Sequence, residues 1–134
     1  MAREILFKAK RIDNGEWVEG YYAIAIDKRG IKQHNILVAD HSLGYFKWYV
    51  IDENTLCQYT GLTDKNGNKI WENDILDCQD RITIVKWHIY CGTWDCDFVR
   101  YKGKKCSNGI QVAEWKYRAK VIGNIFDNPE LLGE

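Results

Sequence analysis

The sequence predicts an all-β protein, and three observations carry that prediction. Asn-Gly pairs occur three times, at Asn14-Gly15, Asn66-Gly67 and Asn108-Gly109, each between alternating or β-branched and aromatic runs. That pair is the strongest short-range hairpin signal, because both residues tolerate the positive φ of a type I′ turn. Apolar residues recur with a period of two rather than 3.6. Aromatic residues make up 13% of the chain and fall in short strand-forming runs, while the single proline, Pro129, stands near the end.

Taken in order, Ile5, Phe7 and Ala9 alternate with Leu6, Lys8 and Lys10 before the first Asn-Gly turn, and a strand over 17–26 follows it. After the polar turn at 27–30, strands are expected at 36–39 and 45–51, completing an N-terminal hairpin sheet over 1–58. The second hairpin runs over 60–71 around Asn66-Gly67 and leads into a strand at 72–76. Further strands are expected at 81–90, 93–101, 110–115 and 118–126. Five short strands in the remainder, 59–134, suggest a small barrel or roll. At the end, Asn128 as N-cap and Pro129 at the first helical position predict a single closing helical turn.

Length and composition agree with this plan. With 134 residues, 46% hydrophobic and 28% charged, the chain can bury a core without metal or disulfides. Its first ten residues interrupt every apolar run with charge, so a secretory signal is not expected, and the longest uncharged apolar run, 21–26, is far below the roughly 20 residues of a membrane helix. Five cysteines (Cys57, Cys78, Cys91, Cys96, Cys106) are odd in number and unpaired in spacing, which fits free thiols in a reducing cytoplasm.

Chemistry-bearing patterns are weak. Asp64, Asn66 and Asn68 alternate like the start of a calcium loop, but the glycine comes too early and the flanks are strands, so a hairpin turn is the reading. His88, Cys91, Cys96 and Cys106 have the number and type of a zinc set without a Cys-x-x-Cys knuckle. Cys106, beside Lys104 and Lys105, could carry a lowered thiol pKa, although a bystander thiol in a turn reads better. The carboxylates Glu72, Asp74, Asp77 and Asp80 read as a solvated strand edge rather than a metal or acid–base site. Three histidines, His34, His41 and His88, stand without a nucleophile elbow, and no phosphate loop occurs. No cofactor and no catalytic residue are expected.

Zero net charge, 19 basic against 19 acidic residues, conceals blocks. Residues 69–97 hold 3 basic and 6 acidic side chains, 98–120 hold 7 and 1, and 121–134 hold none and 3, giving −3, +6 and −3. Arg100, Lys102, Lys104, Lys105, Lys116, Arg118 and Lys120, interleaved with Tyr101, Trp115 and Tyr117, resemble a single-stranded nucleic-acid surface, cations for phosphate and rings for bases. Ordinary strands look the same, with charges toward water and rings toward a core. The opposite-sign blocks could also pair between copies of the chain.

The run 54–75, Asn-Thr-Leu-Cys-Gln-Tyr-Thr-Gly-Leu-Thr-Asp-Lys-Asn-Gly-Asn-Lys-Ile-Trp-Glu-Asn-Asp-Ile, resembles the central signature of the YopX family of phage and prophage proteins. The opening 3–9 and the closing 121–132, with Gly123, Asn124 and Pro129, resemble that family's flanking blocks. Departures are the Lys8-Ala9-Lys10 where Arg-Ala-Trp is common, and Asn73 where a glycine is common between Glu72 and Asp74. Asparagine also tolerates left-handed geometry, so that turn should survive. The resemblance implies a mainly-β protein with an SH3-like C-terminal barrel, homo-oligomers, no assigned catalytic residues, and a setting in the cytoplasm of a phage-carrying bacterium.

The expectation is therefore a non-enzymatic interaction module that binds itself and a phage or host protein, with no membrane association. Its motif residues Gly61, Asn66, Gly67, Trp71, Asp74, Gly123, Asn124 and Pro129 serve structure. The alternative is a nucleic-acid-binding barrel using Arg100, Lys102, Lys104, Lys105, Lys116 and Arg118.

Overall fold

The computed structural model describes residues 4–42, 44–79, 81–101, 104–105 and 109–133. Its strands are β1 (Phe7–Lys10), β2 (Trp17–Ile26), β3 (Lys32–Asp40), β4 (Tyr45–Val50), β5 (Cys57–Thr63), β6 (Lys69–Trp71), β7 (Asp74–Cys78), β8 (Arg81–His88), β9 (Thr93–Tyr101), β10 (Lys104–Lys105), β11 (Gly109–Gln111) and β12 (Ala119–Asn124). Helical elements are short: α1 (Val112–Trp115) and 3₁₀ turns at Glu53–Thr55 and Pro129–Leu132. The protein is all-β, as its period-two patterning predicts. It divides into two units, Met1–Tyr59 and Thr60–Glu134. None of its described helices is long and apolar enough to cross a membrane.

In the first unit, β1 to β4 form an antiparallel meander, and the start of β5 pairs with the far side of β1, Phe7 opposite Gln58. Alternation sorts the side chains. One face carries Phe7, Ala9, Val18, Tyr22, Ile36 and Val38, and these gather with Ile51 and Leu56 into the core of this unit. Gly20 lies on the same face and has no room for a side chain: a Cβ there would stand 2.1 Å from the Leu37 carbonyl oxygen. β2 matches its predicted span. β3 is longer than 36–39, and the predicted 45–51 strand is shortened because Ile51 leaves β4 to bridge Arg11.

The second unit pairs the rest of β5 with β6 and builds an antiparallel sheet in the order β10-β9-β8-β7-β12, with β11 also on β9. Its core is Ile70, Leu76, Cys78, Val85, Cys96, Val112 and Ala119, all shielded from solvent, with Leu62, Trp94 and Val121 against them. No pairing among the described residues joins β12 back to β10 or β11.

Several local expectations need correction. The first two Asn-Gly loops are not type I′: Gly15 and Gly67 take φ of +72° and +84°, but Asn14 and Asn66 are not among the residues with positive φ. Around Gly67, the Gly67 amide bonds the Asp64 carbonyl at 3.0 Å and the Asp64 amide bonds the Asn68 carbonyl at 2.8 Å. This is a three-residue loop with glycine in the left-handed position of a bulge, which needs only one positive φ. Asn108 lies outside the described residues. The predicted 110–115 strand becomes β11 followed by α1, closed by the Lys116 amide on the Val112 carbonyl at 2.9 Å, because Val112 is buried and the chain must turn after it to reach β12. β8 stops at His88, where the Cys91 and Gly92 amides turn onto its carbonyl. β12 ends at Asn124 because the Asn124 side-chain oxygen accepts the amides of Phe126 and Asp127, both at 2.9 Å. Asn128 precedes Pro129 as expected but makes no side-chain cap; its oxygen accepts the Asn124 amide instead.

Candidate functional site

The run 54–75 folds into the β5–β6 hairpin and the turn into β7. Gly61 takes a φ of +85° within β5, and the Thr60 hydroxyl donates to the Ile70 carbonyl at 2.7 Å. Asp64 is 6% exposed. Its Oδ1 accepts the amides of Asn66 and Asn68 at 2.9 Å each, and its Oδ2 accepts the Val121 amide at 2.9 Å and the Asn68 side-chain amide at 3.3 Å. Burial pushes the Asp64 carboxyl up, but the amide donors of Val121, Asn68 and Asn66 outweigh it and hold the group below the usual carboxylate range. The calcium-like alternation is thus an anion wrapped by amide hydrogens, a hairpin device.

The Trp71–Asp74 turn is built in the same manner. Asp74, 3% exposed, accepts the Trp71 amide at 2.8 Å, and Asn73 takes the left-handed φ of +70° anticipated for it. Lys86 donates to the Asn73 side-chain oxygen at 3.0 Å. Of the four carboxylates at 72–80, Asp74 is therefore an internal strut, and Asp80 lies outside the described residues. In the closing block, a Cβ on Gly123 would stand 2.5 Å from Asn128 Oδ1, the atom that accepts the Asn124 amide. Gly123, Asn124 and Asn128 act as one turn, with Pro129 starting the 3₁₀ segment beyond it.

The soft-ligand set is not assembled. Cys96 belongs to the core face of β9, whereas His88 projects from the opposite face of β8 and bonds Asp97 at 2.9 Å with Asp95 at 3.8 Å. The Asp97 hydrogen bond raises the His88 imidazolium above its ordinary range, against a smaller opposing effect of burial. A hydrogen bond with Cys78, and then burial, push the Cys96 thiol up. Cys91 is exposed, and Cys106 lies outside the described residues. The described residues hold no group of three or more His, Cys, Asp or Glu arranged to take a metal ion.

Of the basic stripe, Arg118 and Lys120 are exposed and share a cavity of about 150 Å³ with Lys65, Asp77 and Gln79. Lys116 lies 4.9 Å from the ring centre of Tyr117, which is 76% exposed. Arg100 falls in β9 and Lys104 and Lys105 form β10, backbones that pair at Lys105 opposite Arg100. Lys102 lies outside the described residues.

Two features escaped sequence reasoning, both in the first unit. On the sheet face opposite its core, the register aligns Tyr21, Leu37 and Trp48 across three strands. Phe46 meets Tyr21 edge to face at 6.0 Å. Tyr21 is 53% exposed, Phe46 44% and Trp48 55%. An aromatic cluster this open on one sheet face stands apart from the singly scattered apolar residues of an ordinary protein surface. The signal was present: β4, Tyr-Phe-Lys-Trp-Tyr-Val, carries aromatic residues at positions of both parities, so neither face is polar. The second feature is a chain from Tyr22 through His34 to Glu53, in which the phenol bonds Nδ1 and the carboxylate lies 2.9 Å from Nε2. Burial, then the Glu53 charge, raises the Tyr22 phenol. His34 and Glu53 line a cavity of about 640 Å³ with Lys10, Arg11, Lys32 and Asp52. The Arg11 guanidinium there is occupied by Asp13 at 2.6 Å and by the Tyr49 ring at 4.5 Å.

The family model described as YopX protein matches residues 6–133. The chain belongs to the YopX family. Among solved structures, this YopX-family chain is similar to the crystal structure of protein EF1440 from Enterococcus faecalis, with 22% identity, a TM-score of 0.52, and coverage of 98% of this chain and 100% of that one. That likeness is one of fold. No curated protein matches the chain. Gly61, Asn66, Gly67, Trp71 and Asp74, which lie within the matched range, belong to the hairpin and turn described above.

Proposed function

We propose that this YopX-family chain is a non-enzymatic accessory protein of phage or prophage, an interaction module that assembles with itself in the bacterial cytoplasm. Its second unit acts as a small SH3-like roll held by the signature hairpin. The observation that supports this reading is the open aromatic surface of Tyr21, Phe46 and Trp48, which burial against protein stabilises at roughly 25 cal/mol per Å² of apolar area. Light scattering over micromolar concentrations tests it. A mass above the 15.7 kDa of one chain, falling toward that value in Tyr21→Lys/Trp48→Lys, is the expected result; a single-chain mass throughout refutes self-assembly.

A second reading rests on exposed Tyr117, with Lys116 4.9 Å from its ring and exposed Arg118 and Lys120 following in sequence. Together with Arg100, Lys102, Lys104 and Lys105 this stripe would bind single-stranded nucleic acid. Binding should weaken steeply with salt and fall on charge reversal of Lys104 and Lys105; no binding at low salt removes it.

A further inference from the structure

We propose that a second copy of the chain pairs antiparallel along β4, edge to edge, about a two-fold axis at Lys47. This deepens the self-assembly reading and rests on it. β4 is the outer strand of the first unit's sheet. The Ile51 amide bonds the His34 carbonyl at 2.9 Å, so His34 and Ile51 form a hydrogen-bonded pair, and by alternation Tyr49, Lys47 and Tyr45 point their backbone groups inward to β3. Phe46, Trp48 and Val50 point theirs outward. The Val50 carbonyl confirms this phase, since it accepts the Ile12 amide at 3.0 Å on the outer side. The 10–12 segment hydrogen-bonds the edge at residues 50 and 52, and with Asp13 it lines a cavity of about 370 Å³ that extends to Trp48. Phe46 and Trp48 are left presenting an N–H and a C=O each to whatever lies alongside.

An edge of this kind is ordinarily guarded by charge, proline or shortness. β4 carries one charge, Lys47, and that ammonium lies 3.5 Å from Asp40. A two-fold centred on Lys47 sets Phe46 against Trp48 of the second copy and Trp48 against Phe46 of the second copy. Each pairing closes two backbone hydrogen bonds. Centring on either aromatic residue instead pairs that residue with its own copy and leaves the other opposite Gly44 or Val50, whose backbone groups already serve the Asp40 and Ile12 contacts. In the Lys47 register, Phe46 and Trp48 side chains meet across the join on the aromatic face, extending the row that Tyr21 begins. The two Lys47 side chains meet on the other face, each with its Asp40, so charges of both signs alternate around the axis.

The test is amide hydrogen exchange on the whole chain at low and high protein concentration, beside sedimentation equilibrium. Phe46 and Trp48 amides should become protected in step with dimer formation, while the other solvent-facing amides do not change. Phe46→Pro removes a donor that the single copy does not use, and proline is accommodated on the outer side of an edge strand. It should weaken the dimer about 10- to 100-fold relative to Phe46→Thr, which keeps the donor. Lys47→Glu, which gathers four carboxylates at the axis, should leave a single-chain mass. A dimer in which Phe46 and Trp48 amides exchange as fast as in the single copy overturns edge pairing and leaves self-assembly standing. A single-chain mass at every concentration removes both. If Phe46→Pro does not fold, the wild-type exchange data and Lys47→Glu decide the matter.

Discussion

Replacing Asp64 with Asn changes one atom's chemistry and almost nothing of its shape, so it isolates the contribution of the buried carboxylate. The carboxylate accepts four hydrogen bonds, two at each oxygen. An amide has one oxygen. If it faces the Asn66 and Asn68 amides, its NH₂ faces the Val121 amide, and two donors oppose each other. The change loses a hydrogen bond to a charged group, about 1.5–3 kcal/mol, and leaves a poorly solvated N–H without an acceptor, roughly 1–3 kcal/mol. Because the loop is partly open to water, the expected loss is about 2–4 kcal/mol, a large share of the roughly 5–15 kcal/mol of a typical domain. The sign of the pH dependence follows from the lowered folded-state pKa. The carboxylate's contribution is fully present above the unfolded-state value near 3.9 and is lost as pH falls through the folded-state value. Urea unfolding followed by tryptophan fluorescence, at neutral pH and in steps down to about pH 3, should show a deficit for Asp64→Asn that narrows on acidification. A variant within about 0.5 kcal/mol of wild type at neutral pH, or a deficit unchanged in acid, refutes the account.

Gly67→Val places a β-branched residue at a φ of +84° and should destabilise the protein by about 1–3 kcal/mol; an unaltered melting temperature contradicts the hairpin. Gly123→Ala drives a methyl group into Asn128 Oδ1 at a cost of about 1–3 kcal/mol, and adding Asn128→Ala should relieve part of that cost in a double-mutant cycle, whereas strict additivity denies the contact. His88 should titrate above its ordinary range by NMR and return toward it in Asp97→Asn. Its contribution to stability is present below the unfolded-state pKa near 6.5 and disappears as pH rises through the folded-state value.

The strands were legible where alternation alone decides them, as at Trp17–Ile26 and Thr93–Tyr101. The left-handed Asn73 was legible from residue type. The turn types were not, because Asn-Gly also suits a loop in which only the glycine has positive φ, and the choice depends on an acceptor such as the Asp64 carboxylate. α1 was hidden because Ile110, Val112 and Glu114 keep a strand-like spacing, and burial of Val112 overrides it. The outward face of β4 was missed for a related reason. Aromatic residues in a strand read as core, and only their exposure in the folded chain shows this face to be open. Likewise, nothing near Asp64 in sequence announces Val121 as its partner.

That last bond sets an order of events during synthesis. Residues 1–59 can close their own sheet while later residues are still being made. The hairpin tip, by contrast, waits for a donor 57 positions downstream. Until the ribosome has delivered β12, the hairpin holds its carboxylate with the Asn66 and Asn68 donors alone, and the Asp64 Oδ2 lacks the stronger of its two partners.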